Sequence, residues 1–402
     1  MNEQGDFSRR DFLKLSSAAM AGAYMTGASS LIATATEEQP RKFEKAIAFI
    51  EAEIAAKSFP GACLLVVRRG ETLLERYWGT YCSESERDAR LTPEVYHPLY
   101  SFSKVISATA IVIAHQRKLL DYDAPIQTYI PEFRGGWKDL ITLRKLLTHS
   151  AGIPKAPLTG VYTPEEWQKG LEACYAAPVE WEPGSKTEYH GLSSLFLAAE
   201  ATRRVMGLAT WEEICRELVF EPLGAKSFSF RIPEGVPVAL TPQPTELPAT
   251  IRSVSVWAKG QPGAGVYGRP EDMIRLLQLH LNRGVWNGQV VIRQDEWEEM
   301  HRIQYEAEIA RAEQAGVPPV HEPWGLGWMI RRNLGVENWF GLGSVTSPQT
   351  FGHAGIDTLI GVGEPERQTA LAFITTNSPN PSGPNTARIR NTLTNLVMEE
   401  IS

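Results

Sequence analysis

The sequence predicts an α/β (α+β) fold, in which an antiparallel sheet is flanked by N- and C-terminal helices and a mostly helical domain is inserted into it. Strand-like runs occur early in the chain, at 63–67 and 72–78. They return only late, at 326–330, 358–362 and 369–375, and helical periodicity dominates the residues between. Strands at both ends with helices in the middle indicate a sheet assembled from both ends of the chain.

The length of 402 residues suits one large domain or two closely associated ones. We expect residues 1–35 to be a targeting segment and residues 36–402 to be the folded domain. Its sheet part is predicted at about 41–100 and 324–402, and its helical part at about 101–323.

The N-terminal segment has the features of an export signal. Arg9 and Arg10 precede a mildly apolar run, 15–35, that is too rich in Ala, Gly, Ser and Thr to make a good membrane span. Ala33–Ala35 fits a small-residue cleavage site. The segment resembles a twin-arginine signal, which implies a periplasmic or otherwise exported protein and the twin-arginine export machinery as a partner. The mature chain would then have no stable membrane span. An amphipathic or disordered N-terminus is the alternative.

The elements follow in order along the rest of the chain. A hairpin is predicted to turn near Arg69–Gly70. A short helix is predicted at 140–147, and the proline-rich stretch 231–262 is predicted to run over the surface. Apolar residues at helical spacing predict further helices at 41–57, 164–176, 192–206, 211–219, 270–282, 304–314 and 384–401.

Composition excludes several classes of function. The net charge is −7 and basic runs are absent from the sequence, which argues against nucleic acid as a partner and favours a small-molecule substrate. The four cysteines form no C-x-x-C motif and none stands at zinc-ligand spacing with histidine. We therefore predict no metal and no cofactor. Buried free thiols are the expected state of the cysteines, although export would permit disulfides.

One candidate for nucleophilic chemistry stands out. Ser101 lies three residues before Lys104 at the start of an apolar helical segment, 105–114, and this is the only S-x-x-K in the chain. The spacing places both side chains on one helix face, where a lysine with a lowered pKa could take the serine proton. The helix N-terminus would add positive potential and backbone N–H groups for an oxyanion. The alternative is that Ser101 merely caps the helix.

Other catalytic motifs are absent or fail in context. The sequence contains no G-x-S-x-G and no H-E-x-x-H. Gly263–Gly268 matches G-x-G-x-x-G, but Gln261–Pro262 precedes it instead of a strand. A glycine-rich loop is therefore predicted there in place of a dinucleotide site.

The chain resembles the family of serine β-lactamases, penicillin-binding proteins and related esterases over roughly residues 45–400. The resemblance is carried, in order, by Ser101–Lys104, Leu146–Pro154, Trp181–Tyr189, Trp324–Trp328 and Gly352–Gly355.

The resemblance implies a role for each matching residue. Ser101 would be the nucleophile that forms an acyl-enzyme, and Lys104 would help to deprotonate it. Tyr189 would take part in proton transfer, for which nearby cationic charge would have to lower its pKa of about 10. The oxyanion hole would consist of the backbone N–H of Ser101 and one from the strand after Gly355, that of Ile356.

Two departures from the family's motifs reduce the range of expected substrates. The second motif often reads Tyr-x-Asn, but Tyr189–Gly191 lacks the asparagine. The third motif is Lys-Thr-Gly in penicillin-recognising members and His353–Gly355 here, and a neutral His353 would bind a substrate carboxylate less firmly than lysine. We therefore expect an exported, esterase-like serine hydrolase that acts on a small ester or amide. The alternatives are a β-lactamase or D-amino-acid peptidase, and a non-catalytic penicillin-binding-like module. His149 is expected to be structural.

Overall fold

Both ends of the chain contribute strands to one seven-stranded antiparallel sheet in the computed structural model of this protein. Its strands are β1 (Gly61–Arg68), β2 (Glu71–Tyr81), β3 (Ala89–Arg90), β8 (Met329–Ile330), β9 (Phe351–Ala354), β10 (Ile360–Glu364) and β11 (Thr369–Thr376). Their order across the sheet is β3-β2-β1-β11-β10-β9-β8. Two small two-stranded sheets pair β4 (His97–Pro98) with β5 (Tyr267–Gly268), and β6 (Val285–Trp286) with β7 (Gln289–Val290). The predicted fold class is confirmed.

The structure describes residues 42–82, 88–153, 160–189, 191–231, 234–239, 260–332, 339–378 and 383–401. Residues Lys45–Ser402 form one compact unit, and of the residues before them only 42–44 are described. The predicted export signal at 1–35 lies outside the described residues, as does most of the proline-rich stretch. No helix within the described ranges is long and apolar enough to cross a membrane.

The strand patterns explain the order of the sheet. All but the last residue of β1 are buried, because β1 lies between β2 and β11 and both of its faces are covered. In β2 only Leu74, Trp78 and Tyr81 are buried, because this strand lies near the edge of the sheet and is largely exposed to solvent. The predicted turn between β1 and β2 is confirmed at Arg69 and Gly70, whose φ angles of 51° and 85° are the positive values that tight hairpins require.

Most of the predicted helices are confirmed to within a few residues. The α-helices of five residues or more in the described ranges are α1 (Glu44–Ala55), α2 (Ser103–Gln116), α3 (Leu143–Leu147), α4 (Pro164–Ala176), α5 (Ser193–Met206), α6 (Trp211–Cys215), α7 (Pro270–Leu281), α8 (Gln294–His301), α9 (Glu306–Gln314) and α10 (Pro384–Ile401). Of these, α8 was not predicted. Thr163 and Thr210 begin α4 and α6 with capping boxes, and Gly207 ends α5 in the left-handed conformation.

Three predicted elements have different limits. The helix predicted at 140–147 is a 3₁₀ turn, Gly136–Leu140, followed by α3. The strand predicted at 326–330 is reduced to β8, because Gly327 has a φ of 86°. The strand predicted at 358–362 begins only at Ile360, because Asp357 and Thr358 also have positive φ and form a turn.

Helix α2 runs through the core, and the motif Ser101–Lys104 spans the end of the 3₁₀ turn before it and its first two residues. Its residues 103–114 are all buried. Two glycines let the neighbouring backbone approach it closely. A Cβ on Gly361 of β10 would lie 2.4 Å from the Phe102 ring, and one on Gly327 would lie 2.5 Å from Cβ of Ala108. The late strands therefore pack directly against the turn that bears Ser101.

Candidate active site

Ser101 and Lys104 lie side by side at the start of α2. Ser101 belongs to a 3₁₀ turn, Tyr100–Phe102, and Ser103 begins the α-helix. The Lys104 Nζ lies 3.1 Å from the Ser101 Oγ. Ser101 is partly exposed, whereas Lys104 is 1% exposed. The predicted pairing of the two side chains on one face is therefore present, with the serine turned toward solvent and the lysine beneath it.

Burial makes Lys104 a usable base. Removal from water lowers its pKa from 10.5 to about 7, since an ammonium group loses its hydration in the interior. Nζ donates to the Gly263 carbonyl oxygen at 2.8 Å, and no described carboxylate forms a salt bridge with it. Burial alone accounts for the lowered pKa of Lys104. A neutral amine next to Ser101 can accept its proton.

The glycine-rich loop forms the wall opposite Lys104. Two serines of α2 hold it: Ser103 Oγ accepts from the Val266 N–H at 3.0 Å, and Ser107 Oγ donates to the Pro262 carbonyl at 2.6 Å. Gly263 thereby presents its carbonyl to Lys104. The predicted loop is present at 263–266, but Tyr267 and Gly268 form strand β5. The contact of the loop with Lys104 was missed, because nothing in a G-x-G-x-x-G pattern indicates which side chain a loop carbonyl will meet.

A second loop brings Tyr189 to the same place. Three backbone hydrogen bonds tie it to the segment after α3: Glu180 N–H to Gly152 O, Gly184 N–H to Ser150 O, and Glu188 N–H to His149 O. The described parts of the two sequence motifs, 146–153 and 181–189, thus form one paired unit. His149, fully buried and with a φ of 57°, lies at its centre with its ring 4.7 Å from that of Tyr189.

Tyr189 completes the group of side chains around Ser101. Its side chain hydrogen-bonds Ser101, and the Lys104 Nζ lies 5.1 Å from the centre of its ring. Burial raises the Tyr189 pKa above its usual value, although the bond to Ser101 and the positive charge of Arg390 act in the opposite direction. Tyr189 is therefore a phenol at neutral pH, suited to donating a proton. From the sequence, a role in proton transfer required nearby cationic charge to lower the Tyr189 pKa, but burial raises that pKa instead. Lys104, whose pKa is lowered, is therefore the better candidate for the base.

The end of β9 lies beside the turn that bears Ser101. A Cβ on Gly355 would lie 3.1 Å from the Leu99 carbonyl oxygen. The Gly355 N–H donates to the Leu359 carbonyl at 2.8 Å, so it is not free to bind an oxyanion. Ile356, the predicted donor, follows in a turn and is partly exposed. The predicted oxyanion hole therefore depends on Ser101 and Ile356, with Gly355 allowing the close approach.

His353 lies beneath the site and has no solvent exposure. Its Nδ1 pairs with the Ala354 carbonyl at 2.7 Å, and its Nε2 is buried with no hydrogen-bond partner among the described residues. Burial, assisted by the positive charge of Lys104, holds its pKa well below its usual value. The ring lies 5.0 Å from Phe340 and 5.9 Å from Trp324. His353 is thus a neutral side chain of an aromatic cluster, and its predicted contact with substrate stays a prediction.

Arg390 of α10 is a site residue that the sequence did not reveal. It is 6% exposed, and its guanidinium donates to the Gly355 carbonyl at 3.3 Å and to the Trp339 carbonyl at 3.2 Å. Burial lowers its pKa to about 10. It joins the end of β9 to Trp339, whose ring lies 5.7 Å from Tyr189. No family motif or helical periodicity distinguishes this arginine from others on the last helix.

Comparisons with known proteins agree with this geometry. A family profile described as Beta-lactamase matches residues 46–395. A protein of Salmonella schwarzengrund (strain CVM19633), provisionally named a D-alanyl-D-alanine carboxypeptidase, is 23% identical over 403 residues and is covered to 87%, as is this chain. Esterase EstB of Burkholderia gladioli is 26% identical over 317 residues, which cover 67% of this chain and 74% of EstB.

A solved structure has the same fold. It is a penicillin-binding protein homolog from Caulobacter crescentus, with a TM-score of 0.70 and 21% identity over 90% of this chain and 98% of that one. The family profile covers every motif around Ser101, and the resemblance stated from the sequence is confirmed. This chain belongs to the beta-lactamase family and is a serine hydrolase.

Proposed function

We propose that this protein hydrolyses small, uncharged carboxylic esters through an acyl-enzyme on Ser101. The observation that carries the proposal is the position of a buried, largely neutral Lys104 3.1 Å from the Ser101 hydroxyl, with the Tyr189 phenol hydrogen-bonded to the same serine. A base and a proton donor therefore both contact the nucleophile, as acyl transfer requires.

The proposed reaction has two halves. Ser101 Oγ attacks the ester carbonyl carbon while its proton passes to the neutral amine of Lys104. The carbonyl oxygen becomes an oxyanion, which the N–H groups of Ser101 and Ile356 bind. The C–O bond then breaks as Tyr189 donates its proton to the departing alkoxide and regains one from the Lys104 ammonium. Water then attacks the acyl carbon while Lys104 takes its proton. The bond from that carbon to Ser101 Oγ breaks and Lys104 returns the proton to Oγ, which releases the acid and restores Ser101.

The charges around the site support an uncharged substrate. His353 stands where penicillin-recognising relatives have lysine, and it is neutral and buried. Arg390 is the cation beside Gly355, but it too is buried and donates to two backbone carbonyls. A substrate carboxylate would therefore meet no exposed cation from either residue, and it would have to be desolvated without an ion-pair partner. This favours esters over β-lactams or peptides that end in a free carboxylate.

A substrate panel tests the proposal. Purified protein should hydrolyse p-nitrophenyl acetate and butyrate, and Ser101→Ala should abolish this activity. Ser185→Ala removes an exposed serine of the Tyr189 loop and should leave it intact. A fluorophosphonate should label wild type on Ser101, and Ser101→Ala should stay unlabelled.

The same panel separates the alternatives. Rapid nitrocefin turnover without ester hydrolysis would identify a β-lactamase. Release of D-alanine from a D-alanyl-D-alanine peptide would identify a peptidase, the function that the name of the Salmonella relative suggests. A folded protein that a fluorophosphonate never labels would identify a non-catalytic module.

We also propose that the protein is exported to the periplasm by the twin-arginine route. Support comes from Arg9–Arg10 and the weakly apolar run after them. Residues 1–40 fused to a reporter should direct its export, and Arg9→Lys/Arg10→Lys should block it. Unchanged export of the double variant would refute the twin-arginine route without bearing on the hydrolase.

A further inference from the structure

A tryptophan borders the site and is nearly half exposed. Trp339 is 46% exposed, and its ring meets that of Tyr189 edge to face, with 5.7 Å between centroids and 79° between planes. Its backbone carbonyl and that of Gly355 accept from the same Arg390 guanidinium. Two independent contacts therefore place Trp339 between Tyr189 and the strand end that carries the predicted oxyanion donor.

One carboxylate fixes this indole. Glu322 accepts from the Trp339 Nε1–H at 2.7 Å with one oxygen, and from the Trp324 Nε1–H at 3.0 Å with the other. Trp324 is fully buried and its ring is nearly parallel to that of Tyr189, with centroids 6.0 Å apart. Glu322 thus holds two indoles on different sides of the catalytic phenol. Phe340 supports Trp339 further, with ring centroids 4.1 Å apart.

The chemistry of the exposed part of Trp339 indicates what it can bind. The only polar atom of the indole is Nε1, and Glu322 already uses it. What faces solvent is therefore aromatic carbon in a fixed orientation. Isolated exposed apolar residues are common on proteins, but this one is held rigid at the edge of the predicted acylation site. A ring that is already held in one orientation loses little further side-chain entropy when it binds another flat apolar group.

We propose that Trp339 contacts the leaving alcohol of the ester, and that the preferred alcohols carry a flat, apolar group such as an aromatic ring. Glu322 is the positioning residue for this contact. The assignment rests on the proposed esterase function, because Tyr189 is taken as the donor to the departing oxygen, and Trp339 lies against Tyr189. The alcohol leaves on the side of the proton donor, which is the side that Trp339 borders.

The test compares esters that share an acetyl group. Wild type should prefer 2-naphthylmethyl acetate to ethyl acetate in kcat/KM, and Trp339→Ala should reduce that ratio about five- to tenfold. Trp339→Phe should keep much of it. Trp137→Ala is the matched control, because Trp137 is 48% exposed on a separate 3₁₀ turn, and it should leave the ratio unchanged. Glu322→Gln, with a single carbonyl oxygen for two indoles, should lower the ratio partly.

Three results distinguish the outcomes. If Trp339→Ala leaves the ratio unchanged, whether or not it slows both acetates, the assignment to the alcohol is wrong. A change in selectivity among methyl esters with different acyl groups, in place of a change in this ratio, would also overturn it. If Ser101→Ala still hydrolyses every ester, the esterase proposal itself fails, whatever Trp339→Ala does. Tryptophan fluorescence of each variant checks that it is folded.

Discussion

The pKa of Lys104 is the quantity on which the proposed mechanism depends most. Burial lowers it to about 7, so at pH 7.5 about three-quarters of Lys104 side chains are neutral. A lysine with the ordinary pKa of 10.5 would be neutral in only about one molecule in a thousand. The fold therefore raises the fraction of usable base several hundredfold. We expect kcat/KM for p-nitrophenyl acetate to rise with pH along a limb centred near 7.

Substitution assigns this limb to Lys104. Lys104→Arg keeps a cation that cannot deprotonate, and it should lower kcat/KM by about 10² to 10⁴ and remove the limb. Chemical replacement of Lys104 by S-aminoethylcysteine, whose ammonium is more acidic, should restore activity and move the limb to lower pH. A limb near pH 10, a flat profile between about pH 5.5 and 9.5, or a limb that survives Lys104→Arg would refute the reasoning.

The same pKa predicts an effect on stability. Between pH 7 and 10 the unfolded chain binds the Lys104 proton and the folded chain does not, so wild-type stability should rise with pH. The Lys104→Met variant has no ionisable group at this position and therefore lacks this pH-dependent contribution to stability. The variant should be more stable than wild type near pH 7, and its advantage should shrink by on the order of 4 kcal/mol toward pH 10. Urea unfolding at both pH values measures the difference, and an advantage that does not change with pH would contradict the burial argument.

Three further predictions concern the scaffold. Gly361→Ala places a Cβ 2.4 Å from the Phe102 ring and should lower the free energy of unfolding, measured in urea, by about 1–3 kcal/mol. Gly191→Ala is the control, because the space around Gly191 is open, and it should lower this free energy by less than about 0.5 kcal/mol. Equal losses in the two variants would contradict the packing. Ser103→Ala leaves the buried Val266 N–H without its acceptor and should cost about 1–3 kcal/mol, so an unchanged melting temperature would refute this role. The free energy of unfolding should decrease as pH falls from 6.5 toward about 4, because histidines of the unfolded chain bind protons that the buried histidines of the folded chain do not bind. A free energy of unfolding that stays constant across this pH range would contradict this prediction. The histidines whose pKa values are lowered by burial are His97, His280, His301, His321 and His353.

Regular elements were predictable because their signals are local. The periodicity of 164–176 and 192–206 matches α4 and α5, and the Arg69–Gly70 turn matches the hairpin. The two misplaced strand limits have a common cause. Gly327, Asp357 and Thr358 adopt positive φ where the sequence looks strand-like, and the close approach of Gly327 to α2 depends on packing that no local pattern records.

The candidate site divides in the same way. Ser101, Lys104 and Tyr189 were predicted from motifs and their order, and the structure brings the three together. The Gly263 carbonyl and Arg390 were not predicted. Their contacts join residues far apart in the chain, as in the Lys104–Gly263 bond across 159 residues, and neither residue type carries a distinctive pattern.

The sequence by itself therefore determined the fold class, the family and the identity of the proposed nucleophile, because these depend on spacing and on hydrophobic periodicity. Only the tertiary structure decided the protonation states. Whether Lys104 is neutral, whether Tyr189 is a phenol and whether His353 can carry charge all depend on how much water the surrounding segments exclude. Desolvation is a property of packing in three dimensions. The residue types identify Lys104 and Tyr189 as candidates for the acid and the base, and burial determines which of the two is neutral and basic and which stays protonated.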